Sequence, residues 1–380
     1  MNRPTTTRAG LAVFPLFVAC LLALAPAAGA ARSSVNPAFS TQAMWIWQLP
    51  KTEGGSLARV IAKAKANGIG AVYIKSADAG NRWQQFTPAV VSQLEAAGLR
   101  VCAWQFVYGA SPTAEAAAGA AAKVAGADCL IIDAESSYEG RYRSATTYVK
   151  ELRRRVGSSY PLGFTSFPYV GYHSTLPYSV FLGAGGAQVN MPQVYWRDIG
   201  TTVTAAMTRT WRENRIYGRP ILPVGQTYQS APVADIARFR ALAKAWDAPG
   251  YSWWEWSTTS TRQWAALATR TVARLTPVDP GWPLLRQGSK GDPVRQAQRL
   301  LVAAGSGSVR ANGIFGSATA AAVRALQEAK GIAPTGSLDA ATWPALMKEA
   351  GARIAARNAR LSGHGRSGAA RGGRGAGTGP

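Results

Sequence analysis

Short apolar segments alternate with longer amphipathic segments from residue 44 to about residue 270 of this chain. The longer segments place apolar residues at helical spacing and often end in a glycine, which commonly follows the last turn of a helix. The apolar segments have the length and composition of buried strands. Eight strands are predicted in this way, at residues 44–49, 71–76, 100–109, 129–135, 161–167, 187–196, 220–228 and 251–257.

Apolar strands that alternate with helices pair in parallel, and helices then cover both faces of the sheet. Eight such units in ~230 residues match the size of a closed eight-fold barrel better than that of an open sheet. The first strand is not followed by the Gly-x-Gly-x-x-Gly motif of dinucleotide-binding folds. The sequence therefore predicts the α/β class, with a (β/α)8 TIM barrel over residues 44–275.

The pattern changes after residue 275. Residues 276–283, TPVDPGWP, form a stiff Pro-rich linker, and only helical patterns follow it. The two connections between these helices share a glycine, an apolar residue two positions on and a threonine six positions on, at 313–319 and 336–342. We predict a small all-α three-helix domain with its own core over residues 284–350. The Gly/Arg-rich residues 351–380 have few apolar side chains and are predicted to be disordered.

The N-terminus has the order of a secretory signal. Arg3 and Arg8 precede an apolar run at residues 11–24, and Ala28-Gly29-Ala30 supplies a small-residue cleavage site. We predict a signal peptide at residues 1–30, a linker at 31–43 and a secreted protein without a stable membrane anchor after cleavage. An alternative is acylation of Cys20, although the apolar run continues past that residue.

Charge, cysteine content and histidine content bear on the partners, the disulfides and the metal sites that this chain can have. The formal net charge is +23, which fits an anionic cell envelope, nucleic acid or solubility alone. Cys102 and Cys129 are the cysteines that remain after signal cleavage, and both lie in predicted strands, either as buried thiols or as a disulfide. The two histidines, His173 and His364, are too few for a zinc peptidase, so neither a metal nor a cofactor is expected.

The stretch CLIIDAES at residues 129–136 carries the strongest chemical signal. Residues two apart in a strand point to the same face, so Asp133 and Glu135 leave the C-terminal end of one strand side by side. That end is the catalytic face of a (β/α)8 barrel. Two adjacent carboxyls disfavour each other's ionisation, and a protonated acid beside an ionised one suits glycosidic cleavage. Alternatively, these acids cap the following helix or pair with Lys75 or Arg141.

Polar and aromatic side chains stand at or near the other predicted strand ends. Amides can bind sugar hydroxyls, flat rings can stack on sugar faces, and a further acid can contribute to the mouth. Each residue alone fits a core or rim position better than a binding role, but together they predict a carbohydrate cleft. The candidate substrate-binding residues are Lys75, Gln105, Gln193, Tyr195, Trp196, Gln226, Tyr228, Trp253 and Glu255.

The C-terminal region resembles a known family. An Arg-x-Gly-x-x-Gly opening at residues 286–291, Asn-Gly-x-Phe-Gly-x-x-Thr at 312–319 and Thr-Gly-x-Leu-Asp-x-x-Thr-Trp at 335–343 resemble the peptidoglycan-binding type 1 domain in type and spacing. Asn312 stands where the family usually has aspartate, and Leu326 stands where it usually has phenylalanine. The resemblance implies that a small helical module binds cell-wall glycan or its stem peptides.

The barrel has a second resemblance. IKSADAG after the second strand, AWQFVYG on the third and IIDAE on the fourth are similar to the muramidases of glycoside hydrolase family 25. The resemblance implies that Glu135 is the proton donor. It also implies that Asp133 orients the acetamido group of the substrate, whose carbonyl acts as internal nucleophile. The first strand, MWIWQL, lacks the aspartate that this family places there.

Two functions therefore remain open for the barrel. One is a secreted, muramidase-like glycoside hydrolase held on peptidoglycan by the C-terminal module. The other is a non-catalytic wall-binding protein that has kept a sugar cleft without turnover. Peptidoglycan is the expected partner, and no specific nucleic acid is expected. A cysteine peptidase is disfavoured because both cysteines lie in apolar strands, so an enzyme of this kind would cut the glycan rather than the peptide.

Overall fold

The computed structural model describes residues 35–369, which contain a closed barrel of eight parallel strands. Strand β1 pairs with both β2 and β9, which closes the sheet, and the short β3 runs antiparallel to β2. The predicted (β/α)8 barrel is confirmed. The strands are β1 (Gln42–Ile46), β2 (Ala71–Asp78), β3 (Asn81–Arg82), β4 (Arg100–Val107), β5 (Cys129–Ala134), β6 (Leu162–Ser166), β7 (Val189–Val194), β8 (Val224–Gln226) and β9 (Tyr251–Trp254).

Nine helices follow the strands of the barrel. Several begin at side chains that accept a hydrogen bond from the third residue along the chain, as Ser56, Thr87, Thr202 and Ser260 do. Such caps satisfy backbone N–H groups that have no partner within the first helical turn. The helices are α1 (Leu57–Ala66), α2 (Pro88–Ala96), α3 (Pro112–Val124), α4 (Tyr142–Val156), α5 (Tyr178–Phe181), α6 (Trp196–Ile199), α7 (Val203–Asn214), α8 (Val233–Ala245) and α9 (Thr261–Ala268).

Side chains along each strand point alternately into the barrel interior and into the layer between the strands and the helices. The interior is filled by large rings, including Trp45, whose indole donates to Ser252 Oγ at 2.9 Å. Cys102 and Cys129 face each other on β4 and β5, and they form a disulfide within this interior. The sequence had left thiols and a disulfide equally open. Other buried interior residues are Ala43, Tyr73, Trp104, Ile131, Met191 and Val224.

The C-terminal module contains three helices, α10 (Asp292–Ala303), α11 (Ser317–Ala329) and α12 (Thr342–Ala369). Two buried glutamines explain the repeat in its connections. Gln298 accepts from the Gly313 N–H at 2.8 Å and donates to Thr319 at 3.1 Å. Gln327 accepts from the Gly336 N–H at 2.9 Å in the second connection. Each carboxamide thus fixes a glycine turn and the start of the helix that follows.

The module and the barrel share one hydrophobic core, so the prediction of a separate core is wrong. Leu301 and Trp343 of the module belong to the same buried cluster as Tyr148 and Phe181 of the barrel. The sequence could not show this because the apolar faces of α4 and α10 are each explained equally well by packing within their own domain.

Asp292 is the polar centre of this interface and is fully buried. Its carboxylate accepts hydrogen bonds from the Ser179 N–H at 2.8 Å, the Ser179 hydroxyl at 2.6 Å and the Tyr217 hydroxyl at 2.9 Å. Its own N–H donates to the Ser174 carbonyl at 2.6 Å. A buried carboxylate that is satisfied in this way ties the first turn of α10 to the barrel.

The prediction of a disordered tail from residue 351 is wrong as far as Ala369, because α12 continues to that residue. Residues 351–360 are exposed, so this part of the helix is not held by burial. It is rich in alanine and arginine, which are strong helix formers. The predicted signal peptide at residues 1–30 and the last residues of the tail lie outside the described residues. Between residues 35 and 369, no helix is both long and apolar enough to cross a membrane.

Candidate active site

Asp133 and Glu135 lie at the C-terminal end of β5, which pairs with β4 and β6. The interior cysteine of β5 is Cys129, so Asp133 continues the same inward-facing row and Glu135 follows it. Gln193 on β7 binds both acids from across β6. Its Nε2 donates to Asp133 Oδ1 at 3.2 Å and to Glu135 Oε1 at 3.1 Å. The two predicted catalytic carboxyls and one predicted amide therefore form a single hydrogen-bonded cluster.

Burial changes the acidity of this pair. Loss of water contact, and then the nearby Glu135 carboxyl, raise the pKa of Asp133 well above its usual range, while Lys75 and Gln193 act in the opposite direction. Burial also raises the pKa of Glu135, against hydrogen bonding from Gln193 and the charge of His173. In such a coupled pair a proton belongs to both carboxyls rather than to one. The pair is thus arranged to retain a proton at higher pH than isolated acids do.

Lys75 faces the same end of the barrel from β2 and is almost completely buried. Its Nζ forms an ion pair with Asp78 at 2.6 Å. The ammonium also lies 4.6 Å from the ring centroid of Trp83 and 4.8 Å from that of Trp104. Aromatic faces attract cations, so these rings and Asp78 hold in place the ammonium whose charge lowers the pKa of Asp133.

Aromatic rings surround the acids. Tyr195, next to β7, packs edge to face on Tyr228 at 5.5 Å between ring centroids, and the Tyr228 hydroxyl donates to Asp198. Burial, Tyr228 and the two site acids raise the pKa of Tyr195, so its hydroxyl stays protonated. Two further rings, Trp47 and Tyr108, follow the ends of β1 and β4 and are 46% and 38% exposed.

The segment between β6 and α5 borders the acid pair on the other side. His173 stacks on Phe167 with 3.5 Å between ring centroids, and its Nδ1 lies 2.8 Å from Glu139 Oε1. The Thr175 hydroxyl donates to the other Glu139 oxygen at 2.9 Å. Together with the neighbouring imidazole, these bonds lower the pKa of Glu139. The charge of His173 also lowers the pKa of Glu135, against the effect of burial.

Gln105 and Trp253 are not in the mouth, contrary to prediction. Gln105 points outward from β4 into the helix layer, where it donates to the Glu115 carbonyl at 2.8 Å and accepts from the Tyr148 hydroxyl at 2.8 Å. Trp253 is fully buried beneath α8, 4.9 Å from the ring of Phe239. Both errors have the same cause: the prediction used closeness to a strand end without counting which residues alternate inward.

Trp196 and Gln226 are also unavailable to a ligand. Trp196 is 1% exposed, and its indole donates to Asp235 at 2.9 Å beneath the helices. Gln226 is fully buried and accepts the N–H of Arg197 at 2.8 Å, which anchors the start of α6. These side chains support the loops after β7 and β8 rather than line a cleft.

Glu255 follows β9 and is 5% exposed. Burial raises the pKa of its carboxyl, while backbone hydrogen bonds from Ser257, Thr258 and Trp47 act in the opposite direction. Glu255 does not pair with Lys75, whose ammonium forms its ion pair with Asp78.

The sequence prediction missed several residues of the site, among them Trp254, Asp78 and His173. Trp254, rather than Trp253, faces the barrel interior and packs 5.5 Å from Trp104. Alternation from Ser252, the partner of Trp45, would have identified it. Asp78 was missed because β2 extends past its predicted end at residue 76. His173 lies in a loop, where sequence periodicity gives no orientation.

The described residues at the barrel mouth do not form a metal-binding site. Within residues 35–369, no group of three histidine, cysteine, aspartate or glutamate side chains is arranged to hold a metal ion. The chemistry available at the barrel mouth is that of two carboxyls of raised pKa, an amide, tyrosine hydroxyls and a caged ammonium. Such a set can donate and accept protons and can bind a hydroxylated or acetamido ligand.

Residues 290–346 match the protein family described as "Putative peptidoglycan binding domain". The resemblance of the C-terminal module to this family is thereby confirmed, and the module is a peptidoglycan-binding domain. A search of curated protein sequences finds no match to the chain.

Similar solved structures include the spore cortex-lytic enzyme SleL of Bacillus cereus, at 12% identity and a TM-score of 0.47, covering 62% of this chain and 75% of that one. A chitinase from Chromobacterium violaceum ATCC 12472 is 12% identical, with a TM-score of 0.43 and coverage of 60% and 98%. An endo-β-1,4-mannanase from Thermotoga petrophila is 10% identical, with a TM-score of 0.42 and coverage of 57% and 68%. The resemblance of the barrel to family 25 muramidases stays a prediction.

Proposed function

We propose that this protein is a secreted glycoside hydrolase that cleaves the glycan of peptidoglycan in a muramidase-like manner. The observation that carries the proposal is the hydrogen-bonded cluster of Asp133, Glu135 and Gln193 at the C-terminal end of the barrel. Peptidoglycan is the substrate that the C-terminal module supports. The predicted signal peptide at residues 1–30 would bring both domains to the wall.

The roles of the two acids follow from their surroundings. Glu135 is the more exposed of the two, so it can reach a glycosidic oxygen, and its raised pKa favours the protonated form that a general acid needs. Its proton passes to the leaving oxygen as the bond from the sugar carbon to that oxygen breaks. The substrate's acetamido carbonyl forms the new bond to that carbon, and Asp133 accepts the acetamido N–H.

Water completes the reaction. It attacks the same sugar carbon, gives its proton to Glu135 and releases the acetamido group in its original form. Gln193 lies between the acids and keeps them in one geometry through both steps. Both acid oxygens are within hydrogen-bonding distance of one nitrogen, so their separation cannot exceed the two bond lengths together.

The test is release of reducing ends from purified sacculi by the wild type and by Glu135→Gln. The substitution keeps size and hydrogen bonding but removes the acid, so turnover should fall by roughly 10²–10⁴-fold. Co-sedimentation with sacculi should be unchanged, because the binding module is untouched. A wild type that releases no more reducing ends than Glu135→Gln, while both sediment with sacculi, would exclude the hydrolase.

A second candidate is a non-catalytic wall-binding protein. It is favoured by β1, Gln42–Ile46, which carries no carboxylate where the family 25 pattern has one. Glu255 does not replace it, since its carboxyl is held by backbone N–H groups at the loop after β9. A third reading, binding to polyanions through net charge, predicts that retention on sacculi collapses with salt.

A further inference from the structure

A cavity of about 410 Å³ lies between the barrel and the peptidoglycan-binding module. Its size falls within the ~300–1,000 Å³ range of small-molecule sites. Val170, Ser174 and Arg212 contribute from the barrel side, and Leu285 and Lys290 contribute from the module side. The cavity therefore exists only because the module is docked.

The docking contacts hold this cavity in shape. Ser174, which lines it, accepts the N–H of Asp292 at 2.6 Å, and Asp292 is the buried centre of the interface. Gly171 donates its N–H to Glu213 at 2.7 Å, so the facing loop is held as well. Both walls are thus fixed by hydrogen bonds before any ligand binds.

The charges in the cavity are unbalanced. Glu213 is neutralised by Arg209 at 2.6 Å. Arg212 and Lys290 also line the cavity, and neither has an ion-pair partner within the described residues. Two uncompensated cations favour a ligand that carries carboxylates.

The uncharged residues that line the cavity favour a peptide ligand over a sugar. No aromatic ring lines the cavity among the described residues, whereas sugars are typically bound by stacking on rings. The remaining surface comes from small and aliphatic side chains, such as Val170, Ile216 and Pro293. A short peptide of alanine and acidic residues matches this combination of small apolar surface and positive charge.

The loop between β6 and α5, which contributes Ser174 to the cavity, also carries His173. Ser174 lines the cavity, and the preceding residue, His173, is bonded to Glu139, which ends the segment that follows Glu135. We propose that this interdomain cavity binds the acidic stem peptide of peptidoglycan while the attached glycan enters the barrel mouth. The inference rests on the proposed substrate but does not require turnover.

The test uses the full chain with Arg212→Glu and Lys290→Glu together, in a Glu135→Gln background that prevents any turnover. The matched control is Arg143→Glu with Lys150→Glu, which reverses two exposed charges on α4 outside the cavity. Calorimetric titration then measures binding of a soluble disaccharide-tetrapeptide and of the same disaccharide without peptide. Thermal melts check that each variant is folded.

The cavity variant should bind the peptide-bearing ligand at least tenfold more weakly than the control variant, with unchanged binding of the bare disaccharide. Equal affinities of the two variants for the peptide-bearing ligand would overturn the proposal. If the charge reversals prevent folding, Arg212→Gln with Lys290→Gln gives the same comparison with a smaller expected loss. A wild type without hydrolase activity that still shows this peptide-dependent difference would refute the proposed enzyme but support the cavity.

Discussion

Asp133 and Glu135 share one hydrogen-bond donor, the Nε2 of Gln193, at 3.2 Å and 3.1 Å. The donor stands on β7, two strands from the acids on β5. Because this amide bonds to both carboxyls, it lowers both pKa values against the effect of burial. The relative position of the three side chains therefore sets the pH at which the pair gains or loses its proton.

Gln193→Leu should move the pH profile of sacculus hydrolysis to higher pH. Loss of the amide removes a hydrogen bond that lowers the pKa of both Asp133 and Glu135, so both pKa values of the coupled pair rise. The acid and alkaline limbs therefore both shift upward. Initial rates measured across pH 4–9 for the wild type and the variant would show the shift. Gln93→Leu, on the exposed face of α2, is the control, and profiles that coincide for all three proteins would contradict the role of Gln193.

Asp133→Asn should stabilise the fold at neutral pH. The folded-state pKa of Asp133 is raised, so the native state binds more protons than the unfolded state above the unfolded pKa of ~3.9. Stability is therefore lost as pH rises through that window, and asparagine removes the loss. Calorimetry should give a Tm a few degrees above that of the wild type at pH 7 and a smaller difference at pH 4. Equal differences at both pH values would show that ionisation is not the cause.

Replacing both Cys102 and Cys129 by alanine should destabilise the barrel by about 3 kcal/mol. The disulfide closes a loop with a sequence separation of 27 between neighbouring strands, so it restricts the unfolded chain. Urea unfolding of the oxidised wild type and of the double variant would measure the difference. The wild type in strong reductant should follow the variant. Coincident midpoints for the oxidised wild type and the variant would rule out a stabilising disulfide.

Asp292→Ala should destabilise the contact between the module and the barrel by about 2–4 kcal/mol. The substitution leaves the Ser179 N–H, the Ser179 hydroxyl and the Tyr217 hydroxyl buried without their acceptor. Calorimetry should then show two separated transitions in place of one. Glu328→Ala, on the exposed face of α11, should leave the transition unchanged. A single transition at the wild-type temperature in Asp292→Ala would contradict the importance of this contact.

Truncation after Leu275 tests the shared core directly. The sequence alone predicted a module with its own core, so the barrel would fold without it. Because Leu301 and Trp343 belong to the same cluster as barrel residues, truncation exposes apolar surface on α4 and α5. The truncated chain should therefore melt at lower temperature and aggregate more readily than the full chain. A truncated barrel with unchanged Tm would show that the barrel and the module have separate cores.

Most of the fold was predictable because the patterns that specify it are local. All eight barrel strands were predicted, since each apolar run must be buried on both faces. The prediction of individual site residues was less accurate. Gln105 and Trp253 were misplaced because a one-residue difference turns a side chain from the barrel interior to the helix layer. His173 was overlooked as a site residue because its position depends on contacts with Phe167 and Glu139.

The sequence by itself determined the closed barrel, the three-helix module and the direction of Asp133 and Glu135, because period and composition fix which face of each element is buried. Only the tertiary structure decided that Gln193 reaches both acids and that Lys75 is held by Asp78. The same is true of the module docking through Asp292. These contacts join residues far apart in the chain, and their geometry depends on how the strands close and which faces meet.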